Sequence, residues 1–252
     1  MNYPIPLISF ASDCLIGHFV RREKRFLVEF THNGQNLWAH TNNSGSMLGL
    51  VRPGLPVLVS PARGEGRKLA YTLEMVNTFP LDSAENPCNS GWVGVNTLTP
   101  NRLLRAAFTA GLLPFTKGYS QLKTEAAVGK SRMDGLFTGP DVPPLWVECK
   151  NVTLVEDDVA AFPDAVTLRG QKHLREMMDI ASSGQRAAFF YCIQRADARC
   201  FGPADYVDPE YARLFYEALQ AGVEVYPFVV TATPKGIFLA EPLPVVPLPE
   251  LA

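Results

Sequence analysis

Asp134, Glu148 and Lys150 are the residues of this chain whose types and spacing could do chemistry together. They sit in two short apolar-rich runs, Ser-Arg-Met-Asp-Gly-Leu-Phe at 131–137 and Leu-Trp-Val-Glu-Cys-Lys at 145–150. The runs are separated by Thr138-Gly139-Pro140-Asp141-Val142-Pro143-Pro144, a segment of turn-forming residues. The pattern predicts an antiparallel β-hairpin. A turn centred on Asp141 sets Asp134 opposite Glu148. Because strand side chains alternate in direction, Glu148 and Lys150 share a face while Val147 and Cys149 point the other way. Two facing carboxylates repel unless a proton or a cation lies between them, and oxygen ligands of this kind suit Mg²⁺ or Mn²⁺. The same residue types also occur on solvated strand faces, and one bulge would break the register. Spacing alone leaves both readings open.

The elements that must position these residues belong to a chain of 252 residues, long enough for a substantial core in one or two domains. With 47% hydrophobic and 19% charged residues, a folded globular protein is expected rather than a disordered one. No basic segment followed by an apolar one opens the sequence, and no stretch is long enough to span a bilayer, so the expectation is a cytoplasmic protein with no membrane partner. The five cysteines (Cys14, Cys88, Cys149, Cys192, Cys200) contain no Cys-x-x-Cys pair, which argues against a zinc knuckle or a disulfide framework. Cys149 reads best as a small buried residue on the far side of its strand. A net charge of −2 does not advertise nucleic-acid binding. Any such claim rests on local patches: Arg21-Arg22-Glu23-Lys24-Arg25-Phe26, Arg63/Arg67/Lys68 and Arg169/Lys172/Arg175. Each alone is also what a solvated face looks like.

Between residues 12 and 77 the sequence predicts five short strands: Leu15–Val20, Arg25–Thr31, Asn36–His40, Val57–Pro61 and Ala70–Asn77. His32-Asn33-Gly34 turns the second into the third. A small antiparallel barrel follows, the OB type being one candidate. Residues 78–91 lose periodicity and read as a domain connection. Thr99-Pro100 opens a helix to about Ala110, with Thr99 as its N-cap. After the hairpin, a helix is expected from Thr167 to Ser182, then a buried strand at Ala187–Ile193, a helix from Asp208-Pro209 to Gly222, and strands at Val223–Val230 and Gly236–Leu239. On the helix at 167–182, Leu168, Gln171, Leu174 and Met178 form the inward stripe. Gln171 is then either a structural amide or a group facing a polar cleft that holds the hairpin carboxylates.

Several segments resemble the sugar fermentation stimulation protein A (SfsA) family. They are Lys24-Arg25-Phe26-Leu27, His40-Thr41-Asn42-Asn43-Ser44-Gly45-Ser46-Met47, Val95-Asn96-Thr97-Leu98 with Asn101-Arg102-Leu103, Gly118-Tyr119-Ser120, Leu122-Lys123-Thr124-Glu125, Ser131-Arg132-Met133-Asp134 and Val147-Glu148-Cys149-Lys150-Asn151-Val152-Thr153-Leu154. The longest and most specific is Phe162-Pro163-Asp164-Ala165-Val166-Thr167-Leu168-Arg169-Gly170-Gln171-Lys172-His173-Leu174. The resemblance covers nearly the whole chain. Three departures stand out: Gly135 where an aromatic is common, Cys149 in place of a β-branched residue, and an Asn42-Asn43-Ser44 loop without proline. Gly135 is expected to loosen the hairpin.

The resemblance implies a mixed α/β fold: an N-terminal OB-like β-barrel (1–85) followed by a C-terminal PD-(D/E)XK restriction-endonuclease-like α/β domain (86–252). It makes Asp134 and Glu148 the acids and Lys150 the lysine of that nuclease motif. Glu125 becomes the acid of a preceding helix, and Gln171 the polar residue of the following one. The expected activity is metal-dependent hydrolysis of DNA or RNA phosphodiester bonds. Mg²⁺ or Mn²⁺ would be held by Asp134, Glu148 and the carbonyl of Cys149, and Lys24, Arg25, Phe26, Arg169 and Lys172 would contact the nucleic acid. A non-cleaving DNA-binding regulator of sugar metabolism genes is the alternative, weakened by the lack of a helix-turn-helix pattern. Hydrolysis of a small phosphorylated metabolite is a third reading. The oligomeric state stays open, a dimer being one option.

Overall fold

In the computed structural model, residues 5–64, 66–79, 91–129 and 131–247 are described. A short strand, β1 (Ile8–Ser9), precedes β2 (Leu15–Glu23), β3 (Leu27–His32), β4 (Gln35–His40), β5 (Pro56–Pro61) and β6 (Tyr71–Asn77). β2, β3 and β4 form an antiparallel meander, β5 pairs with both β2 and β6, and a parallel β4–β6 pairing closes a five-stranded barrel with OB topology. Phe30, Val57, Leu73 and Val93 fill its core. Asn33 and Gly34 both have positive φ, as a two-residue hairpin turn demands. The second strand starts later than expected, because Lys24 and Arg25 take left-handed conformations and belong to the turn.

β7 (Trp92–Gly94) extends the barrel sheet beside β6, although it lies beyond residue 85. The expected connection falls mostly at 80–90, outside the described residues, as does Cys88.

The second module runs through α1 (Thr99–Thr109), β8 (Gln121–Val128), β9 (Ser131–Gly139), β10 (Val142–Val152), β11 (Leu154–Glu156), β12 (Val159–Phe162), α2 (Leu168–Ser182), β13 (Arg186–Ile193), β14 (Cys200–Pro203), α3 (Pro209–Gln220), β15 (Glu224–Thr233) and β16 (Gly236–Pro242). Its main sheet has the order β1-β16-β15-β13-β10-β9-β8, so Ile8 and Ser9 reach back to complete it. β10, β13 and β15 run parallel at its centre. Trp146, Phe189, Tyr191 and Ile193 pack with α2 and α3, whereas Val147, Cys149, Phe190 and Cys192 pack with α1. Helices cover both faces, which is why the run at 187–193 is apolar without alternation.

Two helix details differ from expectation. Thr99 is the first helical residue rather than the cap, which is Leu98, with no side-chain cap bond. On α2 the buried side is Gly170, Gln171, His173, Leu174, Met177 and Ile180, while Leu168 is 76% exposed. Thr167 caps this helix by accepting from the Gly170 amide, and its first turn borders a cleft instead of core.

The two modules meet along a polar seam. Asp164, after β12, accepts from the Ser46 hydroxyl and the Met47 amide of the barrel loop, and a Cβ on Gly45 would come within 2.8 Å of its carboxylate. Arg22 holds the same loop from inside the barrel, donating to the carbonyls of Asn43 and Gly45. Two family segments 118 residues apart are thus halves of one contact. Asp164→Ala strands the Met47 amide and is expected to cost about 1–2 kcal/mol in urea unfolding. Unchanged stability would show that the seam is incidental.

Candidate functional site

The hairpin has the register expected of it. Leu145 pairs with Phe137, Trp146 with Leu136 and Val147 with Gly135, so Glu148 and Asp134 stand next in line where the ladder ends. The tip itself pairs Val142 with Gly139, and an irregularity across Pro143-Pro144 restores the register. Gly135 does not loosen the hairpin: it keeps its partner, and a Cβ there would approach Leu122 Cδ1 at 3.1 Å. At the ladder's end the Cys149 amide donates to Asp134 Oδ2 (2.8 Å), and Asn101 of α1 donates to Oδ1 (2.6 Å).

Glu148 is buried on the face of β10 that looks toward α2. Lys150, two residues on, donates to Glu148 Oε1 at 2.8 Å, and its ammonium lies 5.8 Å from the Phe189 ring centre. His173 of α2, also buried, places Nδ1 against the same Glu148 oxygen and 3.0 Å from Lys150 Nζ. On its other side Arg169 Nε approaches His173 Nε2 at 3.5 Å. This network assigns the proton to Nδ1, which donates to Glu148.

The two acids are driven apart electrically. Burial alone would raise Glu148, but the Lys150 ammonium and the His173 hydrogen bond override it and hold the carboxyl at about 2. Asp134 is pushed up to about 6, first by burial and then by the Glu148 charge, against the opposing pull of Cys149 N–H, Asn101 and Lys150. The Cys149 thiol faces the α1 core, where burial and then Asp134 push its pKa upward, keeping it protonated and inert.

These residues form one wall of a cleft of about 580 Å³ between the modules. Arg25, Asn43, Ser44 and Gly45 of the barrel face it from one side, and Asp134, Glu148, Lys150 and Arg169 from the other. Glu125 also lines it, but from strand β8 rather than the helix the resemblance implied. Its left-handed backbone (φ 52°) interrupts the β8–β9 ladder opposite Asp134 and turns the side chain outward.

Other expected residues lie elsewhere. Gln171 is the structural amide: its nitrogen donates to both oxygens of Asp208, the carboxylate that caps α3. Lys172 bonds Ser131 and pairs with Glu176, away from the cleft. Lys24 and Phe26 stand exposed on the barrel hairpin beside Arg25.

His173 and Asn101 were missed. Both lie in family-like segments, but reading the α2 stripe from Leu168 rotated it by one position and hid the histidine among outward residues.

The donor set fits a hard divalent cation. Two carboxylates line one cleft, and Asp134, raised first by burial and then by the Glu148 charge, has no cationic side chain among the described residues bonded to it. Among the described residues no group of three or more His, Cys, Asp or Glu side chains is poised around a metal. A cation here would keep water, backbone or substrate oxygens in its remaining positions, as Mg²⁺ characteristically does.

Fold and cleft together define a two-domain protein in which an OB-like barrel is joined to a restriction-endonuclease-like domain. The family described as "SfsA N-terminal OB domain" matches residues 20–95, and "Sugar fermentation stimulation protein RE domain" matches 98–236. A sugar fermentation stimulation protein homolog of Lawsonia intracellularis is 52% identical, the match covering 94% of this chain and 97% of that one. One from Maridesulfovibrio salexigens is 51% identical, covering 95% and 97%. The solved structure of Pyrococcus furiosus SfsA in complex with Ca²⁺ has 26% identity and a TM-score of 0.84, covering 96% of this chain and all of the other. The chain belongs to the sugar fermentation stimulation protein (SfsA) family.

The Asp134 carboxyl is harder to ionise in the folded chain than its ordinary value of 3.8, so this group's ionisation lowers folding stability as pH climbs from about 4 to 6. Asp134→Asn also sets an amide nitrogen against one of two N–H donors, a cost that does not vary with pH. In EDTA its urea stability relative to the parent is therefore expected to rise by up to about 3 kcal/mol between pH 4 and pH 7.5. A difference between variant and parent that does not change over that range would contradict this assignment.

Proposed function

We propose that this chain is a divalent-metal-dependent nuclease that hydrolyses phosphodiester bonds of DNA or RNA held between the barrel and the α/β domain. The observation that carries the reading is the convergence of Asp134, Glu148 and Lys150 on the cleft between the two modules. That a relative's structure is described with Ca²⁺, another hard oxygen-seeking cation, supports it.

Asp134 and Glu148 hold Mg²⁺ or Mn²⁺, with the Cys149 carbonyl as a further oxygen. When bound, the cation supplies Lewis-acid stabilisation of phosphate charge and a more acidic water. Lys150 keeps its ammonium fixed against Glu148 and presents it to the phosphate or the attacking water. Asn101 fixes the rotamer of Asp134. Glu125, at the rim, is the base available to take the water's proton. Arg25 and Arg169, on opposite walls, contact flanking phosphates, which contributes affinity without sequence choice. His173 is a positioning residue: it orients Glu148 and connects it to Arg169.

With labelled single- and double-stranded DNA and RNA in Mg²⁺ or Mn²⁺, Asp134→Asn and Lys150→Ala should each lower cleavage by at least about 100-fold. Only the first should abolish Mn²⁺ binding followed by electron paramagnetic resonance. Cleavage that survives both changes, or that ignores EDTA, would refute the assignment. His173→Ala should weaken Mn²⁺ binding and turnover by about 10- to 100-fold. His173→Asn, which keeps a donor near Nδ1, should recover most of the loss, whereas a purely structural histidine would give two equally impaired variants.

A further inference from the structure

A second cleft of about 590 Å³ opens beside the first, and Leu98 lines both. We propose that this second cleft continues the nucleic-acid track, taking single-stranded nucleotides that flank the one held at the acids. The proposal rests on the nuclease reading and extends it to a surface that reading leaves unused.

Charge points to phosphate. Arg63 and Arg67, on the β5–β6 loop, are exposed over this cleft, and among the described residues neither has an ion-pair partner. Arg102 of α1 joins them, its acid contact being Glu74 at 3.9 Å. Arginines on the outer side of the second module behave differently: Arg175 and Arg213 are tied to Glu210. Two guanidinium groups without an ion-pair partner among the described residues, and a third held only by a long contact to Glu74, therefore gather beside the ridge, in a cleft whose acids are Asp13 and Glu74. A nucleic-acid backbone is a polyanion that arginines gathered along one cleft match.

The floor and ridge suit bases. Buried Glu74 accepts from Ser60 and from Asn96, so its carboxylate is satisfied. Asn96 Oδ1 in turn accepts from Asn42 and from the Leu98 amide, which fixes Leu98 on the ridge, 57% exposed. An apolar side chain held between the two basins is placed to wedge between successive bases. Phe26, 45% exposed and outside both linings, stacks on His40, which lines the second cleft, while neighbouring Arg25 lines the first. Aromatic platforms with flanking cations bind single strands without sequence choice. A stiff duplex cannot bend over such a ridge as a single strand does.

The test measures binding by fluorescence anisotropy in Ca²⁺ on a Lys150→Ala background, which keeps both carboxylates for the cation while suppressing cleavage. Single strands of about 4 and about 12 nucleotides are compared. Arg63→Ala combined with Arg67→Ala should weaken the longer strand about tenfold and flatten its salt dependence by about 1.4 in log–log slope. Affinity for the shorter strand should stay within about twofold of the parent. Leu98→Ser, which touches both clefts, should weaken the longer strand more than the shorter. Equal losses for both lengths, or no loss for either, overturns the second cleft as part of the track. If the parent binds neither strand, the nuclease reading itself fails, an outcome distinct from the other two.

Discussion

A carboxylate buried midway along a central parallel strand has to be countered, and the site is organised around how Glu148 is countered. Lys150 reaches it because residues two apart on a strand share a face. His173 reaches it because α2 crosses that face. Removing either neighbour would leave charge stranded in a poorly solvated place, which is far costlier than never having buried it. The cluster therefore fixes the angle of α2 over the sheet, and α2 in turn sets where Arg169 meets the cleft. Asp134 lacks such partners. It receives two neutral donors and faces a charged neighbour in a buried place, so its ionisation costs more than that of a free carboxyl. The protein settles one acid fully and leaves the other costly to charge.

Much of this was legible in the sequence. The hairpin register followed from turn composition and period-two alternation, and it held because the irregularity at Pro143-Pro144 offset the asymmetric tip. The barrel strands and their Asn33-Gly34 turn were readable for the same local reasons. What escaped was set by tertiary contact. Glu125 sits on a strand, where nothing in Leu122–Glu125 distinguishes a helix acid from a strand acid. Gln171 satisfied the pattern of an inward polar residue, but which inward partner it meets depends on α3, and Asp208 claims it. His173 shares its helix turn with Gln171, and only the rotation of α2 about its own axis shows that the histidine, not the glutamine, meets Glu148.

The seam between the modules has a consequence for how such a protein can change. The loop at Asn43–Met47 is gripped by Arg22 within the barrel and by Asp164 across the boundary, and Gly45 leaves no room for a side chain where the two approach. The modules are thus not beads on a string. Cleft width is inherited from this contact, so a barrel transplanted from a relative would carry its own spacing with it. To preserve the distance between the barrel wall and the wall that carries the acids, changes near residues 22, 45 and 164 have to stay sterically compatible with one another.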